Sequence, residues 1–275
     1  MTKLPRLALV GLGNMGEALL KGVLDRGLLA PGQVSGAEPV PTRREEVAGR
    51  YGIAVHDGAA DACRGAGAVV LAVKPQDADS ALGAIAGALA PGAVVVSVCA
   101  GVTLARLGRR LPPGTPVVRA MPNTPALVGC AASGYCANEH AGPAEREIAR
   151  VLLGAVGEAY PLTSESLLDA VTGLSGSGPA YAFAFLEALA DGGVLMGLPR
   201  PLARDLACQT LLGAARLAKA SGEHPAELKD RVASPGGTTI AGLRELELAG
   251  FRGAVVEAVR AATLRSRELG IPEGG

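Results

Sequence analysis

Three glycines near the start of the chain have the spacing of a dinucleotide-binding turn. The stretch "VGLGNMGEALL" places Gly11, Gly13 and Gly16 in the pattern G-x-G-x-x-G, between an apolar run and a run of helical period. In this context Gly11 permits a tight turn, Gly13 lets a pyrophosphate approach the backbone, and Gly16 lets the helix pack closely on the strand. The N-terminus of that helix adds unpaired N–H groups and a positive dipole. We therefore predict a dinucleotide site here; a glycine-rich turn without a ligand is the alternative.

The end of the second predicted strand bears on which dinucleotide is bound. Glu38 lies there, where an acidic side chain usually binds the ribose hydroxyls of NAD and repels a 2′-phosphate. Arg43 and Arg44 begin the next predicted helix, where they either contact such a phosphate or form a solvated helix face. The cofactor is thus predicted to be NADPH or NADH, with Glu38 disfavouring the 2′-phosphate and the preference left open.

Three later loops extend the same predicted site. They follow predicted strands, so they should lie at the carboxyl edge of the sheet, where open α/β folds bind ligands. Lys74 is either a cofactor contact or a surface lysine, and Cys99 is expected to be a small buried residue beside the cofactor. The predicted cofactor-binding residues are Gly11, Leu12, Gly13, Asn14, Met15, Gly16, Glu38, Arg43, Val73, Lys74, Pro75, Cys99, Ala100, Gly101, Met121, Pro122 and Asn123.

A second candidate site lies late in the chain, in the stretch "RVASPGGTTIAGL" (231–243). Two adjacent glycines would weaken a helix interior by about 1 kcal/mol each, so their presence needs another reason. Pro235 suits the first turn of a helix. The unpaired N–H groups of Gly237, Thr238 and Thr239 can then hold a carboxylate. The alternative is a helix cap alone, which needs one Ser or Thr and no Pro-Gly-Gly turn.

These residues need elements that bring them together, and the chain has two halves of different period. In the first half, short continuous apolar runs alternate with helical patterns, which is typical of a parallel sheet buried on both faces. From about Thr163 onwards only helical patterns follow. We predict an α/β dinucleotide-binding (Rossmann) domain with a mostly parallel sheet over residues 1–162. An all-α domain is predicted over residues 163–275. Several of its helices lack a wide polar face, so we expect this domain to pack against another subunit.

Composition and charge restrict the classes of partner. The 275 residues carry 26 Lys and Arg against 26 Asp and Glu, which argues against a nucleic acid or an anionic membrane surface as partner. No apolar run reaches membrane length, and "MTKLPRLALVGLG" leads straight into a strand, unlike a signal peptide. The 5 cysteines form no CxxC pair and the 3 histidines are scattered, so no metal site is predicted. We expect reduced thiols and a cytoplasmic protein.

Several motifs spread over essentially the whole chain occur in a fixed order. The densest are "MPNTP" (121–125), "DAVTGLSGSGPAY" (169–181), "GLPR" (197–200), "QTLLGAA" (209–215) and "SPGGTTIAGL" (234–243). In these motifs the chain resembles the pyrroline-5-carboxylate reductase family, of which the last motif is the signature. Glu38 departs from the resemblance, since this family more often has a small or polar residue there and commonly prefers NADPH. The departure concerns the choice of cofactor and not the reaction.

The resemblance implies hydride transfer from NAD(P)H to the C=N carbon of 1-pyrroline-5-carboxylate, which gives L-proline in the last step of proline biosynthesis. It also implies a homodimer, commonly assembled further to a decamer, whose substrate site joins the dinucleotide domain of one subunit to helical residues of its partner. The residues matching 234–239 would hold the carboxylate, and Thr239 matches the hydroxyl that faces the ring nitrogen. Ser175 either contacts substrate or caps a helix. The substrate-binding residues so implied are Ser175, Ser234, Gly236, Gly237, Thr238 and Thr239, with Thr239 catalytic.

Two other functions stay open at this point. A β-hydroxyacid or imine dehydrogenase could share the two-domain plan, but hydroxyacid enzymes resemble one another in a lysine on a helix of the second domain. Lys219 and Lys229 lie at a predicted helix end and just before the Pro-Gly-Gly turn, which are poor places for that lysine. A non-catalytic dinucleotide-binding or metabolite-sensing protein would keep the glycine turn but has no reason to keep the Pro-Gly-Gly turn.

Overall fold

Short apolar runs form the strands of one sheet, and a computed structural model describes residues 4–270. The strands are β1 Leu7–Val10, β2 Val34–Ala37, β3 Ala54–His56, β4 Ala68–Leu71, β5 Val94–Ser97, β6 Val117–Met121, β7 Ala131–Ala137 and β8 Gly157–Pro161. Their order is β3-β2-β1-β4-β5-β6-β7-β8. The β6–β7 pair is antiparallel, and the other neighbouring pairs are parallel. The predicted, mostly parallel sheet is therefore confirmed.

The central strands are buried on both faces. Every residue of β1, β4 and β5 is buried, because helices cover both sides of the parallel sheet. Successive side chains of a strand point to opposite faces. Leu7 and Leu9 accordingly belong to one apolar cluster, whereas Ala8 and Val10 belong to the other. The continuous apolar runs in the sequence are explained by this burial.

The register of the sheet aligns the carboxyl ends of its central strands. Val10 of β1 lies opposite Ala37 of β2 and Leu71 of β4. Leu71 in turn lies opposite Ser97 of β5. The carboxyl ends of these strands therefore lie side by side, as the sequence predicts. This places the glycine turn close to Glu38 and to the loops that follow β4 and β5.

Helices connect the strands and form the later part of the chain. They are α1 Asn14–Asp25, α2 Pro41–Tyr51, α3 Ala59–Cys63, α4 Ala78–Ala86, α5 Leu104–Arg110, α6 Pro143–Gly154, α7 Leu167–Val171, α8 Gly178–Leu195, α9 Arg200–Ser221, α10 Pro225–Val232, α11 Thr238–Leu248 and α12 Phe251–Leu269. Short 3-10 helices lie at Pro31–Gln33, Pro75–Asp77 and Thr124–Val128, and a π-helical turn at Thr172–Gly176 joins α7 to α8. No helix within residues 4–270 is long and apolar enough to cross a membrane.

Four elements lack a residue pattern that predicts them: β3, β7, α3 and α5. β3 has only 3 residues and α3 only 5, which is too short for a period to be visible. β7 has the sequence AASGYCA, in which Ala, Ser and Gly have low strand propensity. It is ordered by its pairing with β6 and β8 rather than by its own residue types.

The described chain divides into two compact units that differ from the predicted boundary after residue 162. One unit, here the sheet unit, contains the residues up to Ser177 and those from Ala261 onwards; the other, the helical unit, is Gly178–Arg260. α7 stays with the sheet because Leu168 is only 1% exposed there. The last turns of α12 also belong to the sheet unit, where Ser266 Oγ donates a hydrogen bond to Asp169 Oδ1 at 2.7 Å.

The helical unit buries few of its own apolar side chains. Its buried apolar cluster consists of Ala190, Ala203 and Ala207. Large apolar side chains at least one-third exposed in this unit are Phe183, Leu189, Leu195, Met196, Leu198, Leu202, Leu206, Leu212, Leu217, Val232, Ile240, Leu246, Leu248, Phe251, Val255 and Val256. Large apolar side chains exposed in this number are typical of a face that another subunit covers, since large exposed apolar patches are rare on monomers.

Candidate active site

The glycine turn between β1 and α1 has the geometry that its motif predicts. Gly11 has φ +92°, and a Cβ there would lie 2.7 Å from the Ala72 carbonyl oxygen. A Cβ at Gly16 would lie 2.1 Å from the Gly11 carbonyl oxygen, so both positions require glycine. Gly13 precedes the first residue of α1, and a Cβ there would have no neighbour within 4 Å. The turn therefore leaves open space beside Gly13, where a pyrophosphate is predicted to approach the helix N-terminus.

Glu38 follows β2 and contacts the backbone of the glycine turn. Its side chain is 9% exposed. Oε2 accepts a hydrogen bond from the Leu12 N–H at 3.3 Å, and Oε1 accepts one from the Val40 N–H at 3.1 Å. Each carboxylate oxygen retains a further lone pair, so both can still accept a hydroxyl. The predicted ribose-binding acid thus lies against the turn that should hold the pyrophosphate.

Arg43 in α2 also contacts the glycine turn. Its Nε and Nη2 donate to the Leu12 carbonyl oxygen at 3.2 and 3.0 Å. Nη2 also pairs with Glu17, and Nη1 donates to Glu46 Oε2 at 2.9 Å. The predicted alternatives for Arg43 were a phosphate contact or a solvated helix face. The structure shows a third arrangement, in which two carboxylates and a carbonyl surround the guanidinium.

Glu17 in α1 is the centre of this charged cluster. Tyr51 donates to its Oε1 at 2.8 Å, and Arg50 donates to the same oxygen at 2.6 Å. Burial raises the pKa of the Glu17 carboxyl, but the hydrogen bonds from Arg43, Tyr51 and Arg50 outweigh it and hold that pKa below its ordinary value. Glu17 therefore stays ionised at neutral pH and fixes Arg43 against the turn.

The loops after β4 and β5 meet at the carboxyl edge of the sheet. Cys99 is 2% exposed, and its thiol donates to the Val73 carbonyl oxygen at 3.2 Å. Burial raises the pKa of the Cys99 thiol, so the group stays protonated. Lys74 is exposed and precedes the 3-10 helix that begins at Pro75. The expectation of a small buried cysteine at position 99 is confirmed, and the thiol joins two of the predicted cofactor loops.

The residues after β6 are tied to the π-helical turn. Asn123 is 8% exposed, its Nδ2 donates to the Ser175 carbonyl oxygen at 2.9 Å, and its Oδ1 accepts from the Ala132 N–H at 3.0 Å. The Ser175 hydroxyl donates to the Val171 carbonyl oxygen at 3.2 Å, four residues earlier, and within the described residues it accepts no N–H of α8, which begins at Gly178. Single π-helical turns occur frequently at functional sites. Asn123 therefore links a predicted cofactor loop to the segment that carries Ser175.

A cavity of about 350 Å³ within the sheet unit adjoins three of the predicted cofactor residues. Its walls are formed by Pro75, Ala100, Gly101, Arg106, Thr172, Ser177, Ala262, Arg265, Ser266 and Leu269. Arg106 and Arg265 are cationic side chains that sequence reasoning did not assign to the site. Arg106 Nε donates to Asp79 Oδ1 at 2.9 Å, a contact between residues far apart in sequence. No motif signals this pair, because the fold alone brings α4 and α5 together.

A second long-range pair supports the same loops. Arg119 in β6 is 8% exposed, and its Nη1 donates to Glu165 Oε1 at 2.7 Å. The same oxygen accepts from the Leu104 N–H, at the N-terminus of α5, at 2.7 Å. A buried charge needs such a partner. The pair therefore fixes the start of α5, which follows the Ala100–Gly101 loop.

The Pro-Gly-Gly turn lies in the helical unit and begins α11. Gly236 has φ +68°, and the Ser234 carbonyl oxygen accepts the Gly237 N–H at 3.0 Å. A Cβ at Gly237 would lie 2.2 Å from Ser234 Oγ. This differs from the prediction that the Gly237 N–H is unpaired, because that amide donates the hydrogen bond that closes the turn. Position 237 requires glycine because a Cβ there would collide with the Ser234 hydroxyl. A depression of about 420 Å³ adjoins Gly236 and Gly237.

The first amides of α11 keep the predicted arrangement. The first helical hydrogen bond runs from the Ala241 N–H to the Gly237 carbonyl oxygen at 3.4 Å, so the N–H groups of Thr238 and Thr239 precede it. Gly237 takes the capping position, and no side chain there accepts a hydrogen bond. Within the described residues, the Thr239 hydroxyl has no hydrogen-bond partner of its own. The turn thus offers two amides and a hydroxyl to an anionic ligand.

Titratable side chains in the described part of the chain form no group of three or more His, Cys, Asp or Glu residues that could hold a metal ion. The cysteines are free, with Cys63, Cys99 and Cys136 buried and Cys130 and Cys208 exposed. The two candidate sites therefore consist of backbone amides, hydroxyls, carboxylates and guanidinium groups.

Comparison with known proteins identifies the family. The family model for the pyrroline-5-carboxylate reductase dimerisation domain matches residues 165–269. A pyrroline-5-carboxylate reductase from Synechocystis is 46% identical over 96% of this chain and 98% of its own length. The chain belongs to the pyrroline-5-carboxylate reductase family. A family member from Pseudomonas aeruginosa is 44% identical over 96% of this chain and 97% of its own.

Solved structures of pyrroline-5-carboxylate reductases have the same fold. The one from Coxiella burnetii superimposes with a TM-score of 0.93 at 31% identity, covering 98% of this chain and 99% of its own. That from Plasmodium falciparum, solved with NADP bound, has a TM-score of 0.87 at 31% identity and covers 98% of this chain and 100% of its own. A second family model, for coenzyme F420-dependent NADP oxidoreductases, matches residues 6–101. The predicted Rossmann and helical parts are thereby both confirmed.

Proposed function

We propose that the protein is a pyrroline-5-carboxylate reductase that reduces 1-pyrroline-5-carboxylate to L-proline with NAD(P)H, the last step of proline biosynthesis. The observation that carries this proposal is the Pro-Gly-Gly turn at the N-terminus of α11, whose free amides and hydroxyl match a substrate with one carboxylate and one ring nitrogen. Family membership and the intact glycine turn support a nicotinamide dinucleotide as cofactor.

Different residues of the chain would bind the dinucleotide and the substrate. Gly13 and the N-terminus of α1 would bind the pyrophosphate, and the predicted loops at the carboxyl edge of the sheet would place the nicotinamide. When bound, the reduced nicotinamide supplies a hydride to the C=N carbon. The amides of Thr238 and Thr239 would hold the substrate carboxylate. Ser175 and Ser234 complete the proposed substrate contacts.

Little acid catalysis is required of the protein. A cyclic imine near neutral pH is partly protonated, and the iminium accepts a hydride without a strong general acid. A ketone would need such an acid, because negative charge develops on its oxygen. The Thr239 hydroxyl has the properties needed to orient the ring nitrogen, since it is neutral and unpaired within the described residues. We therefore assign Thr239 the catalytic contact.

The assay that tests this proposal follows NADH or NADPH oxidation with 1-pyrroline-5-carboxylate as substrate. Parallel assays use 1-pyrroline-2-carboxylate and β-hydroxyacids with the matching cofactor. We expect turnover with 1-pyrroline-5-carboxylate and initial rates at least about a hundredfold lower with the others, since each misplaces the carboxylate or the reacting carbon. Preferential turnover of a hydroxyacid would replace the proposal by the dehydrogenase alternative, and cofactor binding without any turnover by the sensor alternative.

Replacing Thr239 by alanine should lower kcat/KM and leave the fold intact. Loss of one hydrogen bond to the reacting nitrogen is expected to cost about 1–3 kcal/mol in the transition state, or roughly 5- to 150-fold. Thr239→Ser keeps the hydroxyl and should restore most of the rate. Thr210→Ala is the matched control, because the Thr210 hydroxyl donates within α9 to Leu206 at 2.7 Å. An unchanged kcat/KM for Thr239→Ala would remove Thr239 from the site.

Glu38 is expected to set the cofactor preference. Both NADH and NADPH should be used, with NADPH penalised by repulsion between the Glu38 carboxylate and the 2′-phosphate. Glu38→Ser should therefore raise the NADPH/NADH ratio of kcat/KM by about tenfold, the effect of one charge contact. Initial rates with both cofactors, measured on the same preparation, give this ratio. If it does not move, Glu38 is not beside the ribose.

The proposal includes the oligomeric state of the protein and its location in the cell. The exposed apolar residues of the helical unit support a homodimer, and the family resemblance extends this to a decamer built from five dimers. In the dimer, a dinucleotide bound at the glycine turn of one chain would face a substrate molecule held by the Pro-Gly-Gly turn of its partner. The free cysteines support a cytoplasmic location, where thiols stay reduced.

A further inference from the structure

The two adjacent arginines at the start of α2 have different surroundings, although their sequence context is the same. Arg43 contacts the carboxylates of Glu17 and Glu46 as well as the Leu12 carbonyl oxygen. Arg44 Nη1 donates to the carbonyl oxygens of Glu38 and Pro39 at 2.9 and 3.1 Å. Within residues 4–270, Arg44 pairs with no carboxylate, and its Nε and Nη2 groups have no acceptor.

The surroundings of Arg43 do not suit a phosphate. A 2′-phosphate carries nearly two negative charges and would have to approach a guanidinium whose charge Glu17 and Glu46 already balance. Moving Arg43 towards the phosphate would leave Glu17 with fewer partners at a site where it is half-buried. Arg43 instead holds the Leu12 carbonyl group while Glu38 holds the Leu12 N–H.

The surroundings of Arg44 do suit a phosphate. Its guanidinium is anchored on the backbone of Glu38, the residue whose side chain is proposed to bind the ribose. The unused Nε and Nη2 groups form the edge with which arginine binds phosphate oxygens in pairs. Because no carboxylate of the described chain neutralises it, Arg44 keeps its full attraction for an added anion.

We infer that Arg44 binds the 2′-phosphate of NADPH, whereas Arg43 is a positioning residue that holds the glycine turn for either dinucleotide. The inference rests on the proposed nicotinamide site. It explains how a chain with an acid at position 38 can still accept NADPH: Glu38 favours the free ribose hydroxyl, and Arg44 compensates its repulsion of the phosphate. The two side chains act on the same 2′ oxygen in opposite directions.

Isothermal titration of the full-length protein with NAD⁺ and NADP⁺ tests this without turnover, since the two ligands differ only in the 2′-phosphate. Arg44→Ala should weaken NADP⁺ binding by about tenfold or more and leave NAD⁺ binding unchanged. Arg43→Ala should weaken both ligands by a similar factor, because both need the glycine turn. Arg64→Ala is the control for loss of one positive charge: Arg64 is exposed, pairs with Asp61 and precedes β4 at the opposite edge of the sheet. It should change neither affinity.

Two outcomes would overturn the inference. One is an unchanged NADP⁺/NAD⁺ ratio of affinities in Arg44→Ala; the other is a loss in Arg43→Ala that is confined to NADP⁺. Glu38→Ser, titrated alongside, separates this inference from the proposed role of Glu38. A ratio that moves in Arg44→Ala but not in Glu38→Ser supports Arg44 and rejects Glu38, and the reverse rejects Arg44. A wild-type protein that binds neither ligand would reject the proposed cofactor site together with this inference.

Discussion

Gly13→Val should greatly weaken dinucleotide binding while the protein stays folded. Gly13 has φ −67° and ψ −172°, which valine adopts without strain, and the space beside its Cβ position is empty to 4 Å. That space is where the pyrophosphate must approach the backbone, so the valine side chain would take its place. We expect affinity to fall by roughly a hundredfold or more, about 2.7 kcal/mol. Fluorescence titration with NADPH, together with a thermal unfolding curve, measures both parts of the prediction.

Two further glycine variants make the test specific. Gly83→Val in α4 also adds a side chain where nothing lies within 4 Å, and it should leave NADPH affinity unchanged. Gly16→Ala should lower stability itself, because its Cβ would meet the Gly11 carbonyl oxygen at 2.1 Å. Tight NADPH binding by folded Gly13→Val protein would show that the glycine turn is not the pyrophosphate site.

Dissociation to monomers should eliminate activity. The helical unit exposes apolar side chains on α8 and α12, with Phe183 and Val256 each 65% exposed. Obligate dimer interfaces bury roughly 2,000 Å² or more and resemble a core cut in half. Because the proposed site needs residues of two chains, activity should fall in parallel with the dimer fraction. Sedimentation velocity over a dilution series, with activity measured on the same samples, tests this prediction.

Charged substitutions locate the interface. Phe183→Glu and Val256→Glu should both shift the protein to monomers and remove activity, since an unpaired carboxylate would be buried between subunits. Val128→Glu is the control, because Val128 is 77% exposed in the sheet unit. It should keep both the dimer and the rate. A stable monomer with full activity would refute the shared site.

The features of the site that could be predicted from sequence are those that depend on local backbone geometry. Gly11 and Gly16 were predicted correctly because only glycine fits a positive φ or a 2.1 Å approach, and this requirement is visible as a fixed spacing. The same holds for Gly236, with φ +68° at the turn before α11. The sheet was predicted because strands buried on both faces need continuous apolar runs.

The features that sequence reasoning missed depend on contacts between distant residues. The Arg119–Glu165 pair and the Asn123–Ser175 hydrogen bond each join segments that are far apart in the chain, so no motif in the sequence predicts them. The predicted boundary after residue 162 differs from the division after Ser177 for the same reason: α7 has a helical pattern, and only its contacts assign it to the sheet unit. Gly237 was predicted to have a free amide because a motif shows residue types but not which N–H closes a turn.

The fate of the transferred hydride tests the central claim most directly. 1-Pyrroline-5-carboxylate is incubated with NADPH carrying deuterium at nicotinamide C4, using each C4 stereoisomer in a separate reaction. We predict that one of the two isomers gives L-proline with deuterium on C5, the former C=N carbon, and that Thr239→Ala forms this product more slowly. Deuterium on the carbon that bears the carboxylate, or no labelled proline from either isomer, would contradict the account.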